Sequence, residues 1–351
     1  MLSKSKSLPI NELKAGMISA SDIKFENNLL LAKGNPISET AINILSENYI
    51  VDKVEVYEDD DYKQKLEIKA KTVEELEKTF NELSANLEDI FNNIYSLQVN
   101  GIDEIRVFSK KIQEEFKSTG LVIRDIVSHG SSENIYRHSV NVSAISFILA
   151  KWLGFSEKEI NLLTYSAILH DFGKTQIDPN ILNKKGTLTK EDVETIKTHP
   201  VIGYHFVKKI PFIDPSVGLG ILMHHEKADG SGYPMHLKEE KIHKFAKIIA
   251  IADLFDNVSS NRYSKEIAGP FDGLKIIQEE SLGKLDNKYC TMFLNHIVNY
   301  YMGENVILND KRSCKIIQVD INDITKPLLL DDNGFLDLRK EKDLYVTKLV
   351  V

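Results

Sequence analysis

Between Val73 and Leu97 the apolar residues fall at Val73, Leu76, Phe80, Leu83, Leu87, Ile90, Ile94 and Leu97, in steps that alternate three and four. Such spacing holds one seam along a long helix and predicts a coiled-coil-like element. Two readings are open: the seam closes against a second copy of the chain, a homodimer through residues 73–97, or it packs on its own chain. Upstream, residues 8 to about 60 alternate short apolar runs with turn residues such as Lys33-Gly34-Asn35-Pro36, which predicts short strands and a helix from about Ser38. Asn100-Gly101 interrupts the long helix, and Ile105, Phe108, Ile112 and Phe116 carry a second helical period.

From about residue 121 to 302 the pattern is helical with little strand signal. A helix over 133–153 aligns His138, Val142, Ile145, Leu149 and Trp152. The next starts with a capping box, Ser156 to Glu159, and carries Ile160, Leu163 and Ala167 on to His170. A third starts at Thr189 with Asp192 three residues on and runs to His199; a fourth has Asp214-Pro215 at its start and ends at His224-His225. Helix 243–258 aligns Phe245, Ile249 and Asp253. Beyond Asn305, Val306–Leu308, Ile316–Val319 and Leu328–Leu330 lie between turn residues and read as strands of a β extension.

Composition changes this picture little. The chain has 351 residues, 42% apolar and 27% charged, as ordinary globular proteins do. Its net charge of −8 argues against a nucleic-acid partner, since coating phosphate needs a basic face. The amino terminus lacks the apolar core of a signal peptide, and no run is long enough to cross a bilayer, so a cytoplasmic protein without a membrane partner is expected. Cys290 and Cys314 are too few for a thiolate zinc site, so any metal must be held by His and carboxylate.

The polar residues on the helices supply that set. His138, His170, Asp171, His199, His224, His225 and Asp253 are five imidazoles and two carboxylates, one group or pair at the end or inner face of successive helices. Singly, each histidine is more often a satisfied core residue. Together, seven such groups buried without a cation would bear large desolvation penalties, whereas two divalent transition metals sharing a carboxylate would satisfy them.

These residues carry a family resemblance. His170-Asp171 with Gly173-Lys174, then His199-Pro200, then His224-His225-Glu226 leading to Gly232-Tyr233-Pro234, then Ala252-Asp253 with Arg262 downstream, resemble the HD-GYP domain of the HD phosphohydrolase superfamily. The resemblance covers roughly residues 125 to 302. It implies an HD-type helical bundle (125–302); with the patterns read above, the chain is mainly α, with a small α+β regulatory module (1–62), a helical linker (63–124) and a β-rich extension (303–351). It also implies a metal-dependent phosphodiesterase that cleaves the bacterial second messenger cyclic di-GMP to linear pGpG or GMP by a hydroxide between the metals.

Carried onto this chain, the resemblance gives one metal to His138, His170, Asp171 and Asp253. A second falls to Asp171, as bridge, with His199, His224 and His225. Iron is the first expectation, with manganese, zinc or nickel as others. Asp171 and Lys174 take catalytic positions, and Lys174, Tyr233 and Arg262 match substrate contacts. The resemblance also implies that the Gly232-Tyr233-Pro234 loop is a docking point for a diguanylate cyclase (GGDEF) domain. Glu226 and Asp229 are expected as acceptors behind the imidazoles. Asn134 stands where members with a third metal have glutamate, which favours two metals. Alternatives are a sensor or scaffold without hydrolysis, and hydrolysis of another cyclic dinucleotide such as cyclic GMP-AMP.

Overall fold

The computed structural model describes residues 5–14, 17, 19–21, 23–25, 28–31, 37, 42, 45–46, 53–57, 73–97, 102–116, 122–123, 125–127, 134–184, 186–260, 269–332 and 334–350. The chain divides into two compact units: Met1–Thr72 with Asn295–Val351, and Val73–Leu294. Among the described residues, no helix is long and apolar enough to cross a membrane.

In the first unit, strands β1 (Ser5–Pro9), β2 (Ile23–Phe25), β3 (Asn28–Leu31) and β4 (Lys53–Tyr57) make two antiparallel pairs, β1 with β4 and β2 with β3. Leu13, Ile23, Ile37, Leu45, Val54 and Val56 bury a small core. Of the helix expected from about Ser38, only Ile42, Leu45 and Ser46 lie within the described residues, and all three are helical. The carboxyl-terminal segment forms a five-stranded antiparallel sheet from β5 (Asn305–Leu308), β6 (Ser313–Gln318), β7 (Leu328–Asp331), β8 (Gly334–Asp337) and β9 (Val346–Val350), in the order β8-β7-β6-β5-β9. The last two strands were not expected from the sequence, although Val346-Thr-Lys-Leu-Val alternates as an edge strand should.

The second unit is helical. Its elements are α1 (Val73–Leu97), α2 (Ile102–Glu115), α3 (Ile135–Trp152), α4 (Glu157–Leu169), α5 (Pro179–Leu182), α6 (Lys190–Ile196), α7 (His199–Val207), α8 (Pro215–Met223), α9 (Lys244–Ser259), α10 (Pro270–Glu280) and α11 (Asn287–Ile297), the last running into the first unit. Helices α3, α4, α8 and α9 pack on one another, and α1 lies along α3. The apolar seam of α1 packs within its own unit. Leu76, Phe80, Leu83, Leu87, Ile90 and Ile94 are each at most 8% exposed within the chain itself. Phe80 stacks on Phe116, and Phe91 meets Tyr136 and Phe172 edge-on. The described seam is covered by the helix's own chain, which supports the second of the two readings.

Local chemistry sets the helix limits. The Ser156–Glu159 and Thr189–Asp192 capping boxes form, and Asp214 caps α8 ahead of Pro215. The single helix expected from Thr189 to His199 is two, broken at Lys197–Thr198. Pro200 causes the break, because it has no N–H to give to the Ile196 carbonyl four residues back.

Candidate metal centre

Three histidines sit where helices end. His170 is the C-cap of α4, His224 is the C-cap of α8, and His199 opens α7 just past the end of α6. The last carbonyls of a helix have no donor within it. Each imidazole supplies one: His170 Nδ1 lies 2.8 Å from the Ala167 carbonyl, His199 Nδ1 2.7 Å from Ile196 and His224 Nδ1 2.6 Å from Ile221. A carbonyl only accepts, so these Nδ1 atoms carry a proton, and in a neutral ring the Nε2 is left with a lone pair.

Those lone pairs converge. His199 Nε2 and His224 Nε2 are 3.3 Å apart, as are His170 Nε2 and His138 Nε2. Asp171 lies between the two pairs and is buried. Its Oδ2 is 3.5 Å from both His138 Nε2 and His170 Nε2, while its Oδ1 is 3.2 Å from His199 Nε2 and 3.9 Å from His224 Nε2. Asp171 Oδ1 is buried with no hydrogen-bond partner. Asp253 Oδ1 approaches His138 Nε2 at 3.1 Å, and His225 packs its ring 4.0 Å from that of His224. All seven sequence-predicted groups therefore meet in one pocket. They fall into one set of Asp171, His199, His224 and His225 and another of His138, His170 and Asp171, with Asp253 beside it.

Electrostatics suits this arrangement to cations. Burial alone would raise the Asp171 carboxyl, but Lys174, then His170 and His199, hold it well below the usual carboxylate range. Asp253 is likewise held down against burial, chiefly by His138. Burial lowers His170 to about 4 and keeps His224 and His225 neutral, well below an ordinary imidazole. For His138 burial also opposes the charge, yet Asp253 and Asp256 outweigh it and hold the ring up to about 9, so a metal binding at its Nε2 must displace a proton. Ionised carboxylates facing imidazole lone pairs, one buried oxygen lacking any donor, are the donor set of a divalent metal site. The residues present fit divalent metal in the two sets that share Asp171.

The substrate-side residues are placed unevenly. Lys174 Nζ bonds Asp171 Oδ2 at 2.6 Å, so its ammonium abuts the pocket. Tyr233 stacks on His225 with ring centroids 4.7 Å apart, and Lys197 Nζ lies 5.8 Å from the Tyr233 ring centroid. Burial, then Asp171 and Asp253, push the Tyr233 phenol up, which keeps it a donor. Arg262 lies outside the described residues.

Close approach explains two glycines. A Cβ on Gly173 would meet the His199 carbonyl at 2.0 Å, where the turn after Asp171 runs against the start of α7. A Cβ on Gly232 would meet the Lys227 amide nitrogen at 2.3 Å and the His225 carbonyl oxygen at 2.4 Å. Replacing Gly232 by alanine is thus expected to push the loop and Tyr233 away from His225. The overpacking should cost about 1–3 kcal/mol of stability, read from urea unfolding.

Two expectations for this loop need correction. Glu226 does not stand behind an imidazole: its carboxylate accepts from the Met235 and Leu237 amides at 2.6 and 2.8 Å and so ties down the loop. Asp229 accepts from the Ser231 amide and hydroxyl instead. Their sequence neighbourhood is that of the ligands, but their backbone turns them to local amides. Asn134 is the N-cap of α3, with its side-chain oxygen taken by Tyr136 and Arg137 amides.

The acceptor behind an imidazole is one the sequence reading missed. Asp256 Oδ2 lies 2.7 Å from His138 Nδ1, and its other oxygen accepts from Asn141 at 2.7 Å. Asn141 in turn accepts from Arg137 Nε at 3.0 Å. Spacing held a signal, since Asp256 is three residues beyond Asp253 on α9 and Asn141 three beyond His138 on α3, each on the ligand face.

Comparison with known proteins agrees with this geometry. Residues 122–289 match the HD domain family. A cyclic di-GMP phosphodiesterase response regulator of Xanthomonas campestris is 41% identical over 126 residues, which is 36% of this chain and 33% of that protein. A cyclic di-GMP phosphodiesterase of Thermotoga maritima is 38% identical over 152 residues, 42% of this chain and 41% of that protein. A 3'3'-cGAMP-specific phosphodiesterase of Vibrio cholerae is 31% identical over 163 residues, 46% of this chain and 35% of that protein. The chain thus spans less than half the length of these relatives. Among solved structures, an HDG"Y"P protein of Bdellovibrio bacteriovorus superposes with a TM-score of 0.54 at 20% identity, covering 84% of this chain and 99% of that one, a likeness of fold. Over residues 122–289 the chain matches the HD domain family, in keeping with its helical fold and the order of its motifs.

Proposed function

We propose that this chain is a metal-dependent phosphodiesterase that hydrolyses cyclic di-GMP to linear pGpG or GMP. The observation that carries the reading is Asp171: a buried carboxylate whose two oxygens serve two separate sets of imidazole lone pairs. In this reading His138, His170, Asp171 and Asp253 hold one ion and Asp171, His199, His224 and His225 the other, iron first among the candidates. Two such ions supply water of lowered pKa and neutralise the charge that builds on phosphoryl oxygens.

The chain's own residues do the rest. Asp171 fixes the spacing of the two sets. The Lys174 ammonium, a mobile point charge beside that carboxylate, meets a non-bridging phosphoryl oxygen. Tyr233, braced on His225, presents a neutral phenol to the substrate. Arg262 is the proposed second phosphate contact, and the Gly232-Tyr233-Pro234 loop, tied to Glu226, is the proposed docking point for a diguanylate cyclase domain. The 3'3'-cGAMP phosphodiesterase among the relatives supports a second substrate reading at the same site.

Reduced, metal-loaded protein incubated separately with cyclic di-GMP and 3'3'-cGAMP tests both. Chromatography should show a linear dinucleotide or mononucleotide from at least the first. Protein that keeps its metals and consumes neither compound would instead be a sensor or scaffold.

A further inference from the structure

A continuous line of hydrogen bonds runs from α1 to the pocket. On α1, Asn81 donates to Glu77 at 3.1 Å, and both accept from Arg137 on α3, Glu77 from Nη2 at 3.0 Å and Asn81 from Nη1 at 3.3 Å. Arg137 Nε donates to Asn141, Asn141 donates to Asp256, and Asp256 meets His138 Nδ1 at 2.7 Å. Arg137, Asn141, Asp256 and His138 are all buried. From Arg137 to His138 the line is buried, so a shift of the guanidinium meets no water before it reaches the imidazole.

The other site histidines answer to main chain. His170, His199 and His224 are each aimed by a carbonyl of their own helix end. His138 alone among these four is aimed by a side chain, and that side chain is held through Asn141 and Arg137 from another helix.

We propose that Glu77 and Asn81 are positioning residues for the metal pocket: through Arg137, Asn141 and Asp256 they set the direction of His138, and hence the affinity of the half of the pocket that His138 shares with His170 and Asp253. The inference rests on the functional reading only in taking these groups as ligands. It makes α1, the first element of its unit, a control on one ion and not on the other. Removing a carboxylate or amide behind a ligating histidine weakens metal binding by about 10–100-fold. The two residues on α1 act from further out, so the low end of that range is expected.

The test is a titration of the full chain with Co²⁺ alone, followed by visible absorbance and elemental analysis. Native protein should take up two ions in two steps. The double variant Glu77→Ala, Asn81→Ala, in which Arg137 keeps Asp125 at 2.7 Å, should fold, weaken one step about tenfold and leave the other in place. Asn141→Ala should weaken the same step at least as much. If the double variant does not fold, Glu77→Gln, which keeps shape and removes charge, should weaken that step to a smaller degree. Two unchanged steps, two steps weakened together, or no cobalt uptake by native protein would overturn the inference. Two-step uptake with the selective loss, but no cleavage of either cyclic dinucleotide, would sink the functional reading and leave this one standing.

Discussion

Asp171→Asn is expected to abolish turnover and to remove metal from both halves of the pocket. Asparagine keeps the shape but gives one oxygen and one NH₂, so one of the two imidazole sets would face a donor in place of an acceptor. Asp253, the other carboxylate of the pocket, lies 3.1 Å from His138 Nε2 and so sits against one set. The loss should be about 4 kcal/mol or more of transition-state stabilisation, on the order of 10³-fold in rate. Elemental analysis of the purified variant should find well under one equivalent of metal, beside a circular dichroism spectrum like that of the parent. Lys174→Ala provides the contrast: it removes a cation from the rim, so metal should stay while turnover slows. A variant at Asp171 that keeps two equivalents of metal would show that the bridge is elsewhere.

The largest effect on stability is expected at Arg137. Its guanidinium is 6% exposed, bonds Asp125 at 2.7 Å and Glu77 at 3.0 Å, and lies 4.2 Å from the centroid of the Phe80 ring. Asp125 is fully buried. Arg137→Ala takes the guanidinium from a buried carboxylate and opens a void against Phe80, while the gain from burying fewer charges is small because Asp125 remains. Breaking a buried pair from one side costs about 3–5 kcal/mol. In urea the midpoint should fall with little change in slope, the signature of lost stability without a change in the denatured chain. A variant with the parent's midpoint would mean that Asp125 finds an equal partner elsewhere.

Much of the pocket was legible because its ligands sit at helix ends. Capping residues such as Ser156, Thr189 and Asp214 fix where helices start, and the histidines mark where they stop. The bridging role of Asp171 was carried by the family resemblance, and its two-sided geometry agrees with it. What escaped were groups whose meaning depends on distant partners. Arg137 is an ordinary cation in sequence, and only folding brings it Asp125, Asn81 and Glu77 from 12, 56 and 60 residues away. Asp256 reads as part of a solvated stretch beside Asn257 until His138, 118 residues earlier, is set against it. Glu226 was misread because its neighbours are ligands, whereas its partners are amides on the far side of a turn. The heptads of α1 were ambiguous for a related reason: periodicity shows that a helix has a mate and is silent about which chain provides it.

The pairing of helix-end carbonyls with Nδ1 bears on ion choice. A ring pinned by its own backbone cannot pivot to follow a larger or smaller guest, so the gap between His199 and His224 works as a fixed gauge. Divalent ions of different radius would then be sorted by how well their bond lengths match that gauge, and exchange of one metal for another should change occupancy before it changes the shape of the protein.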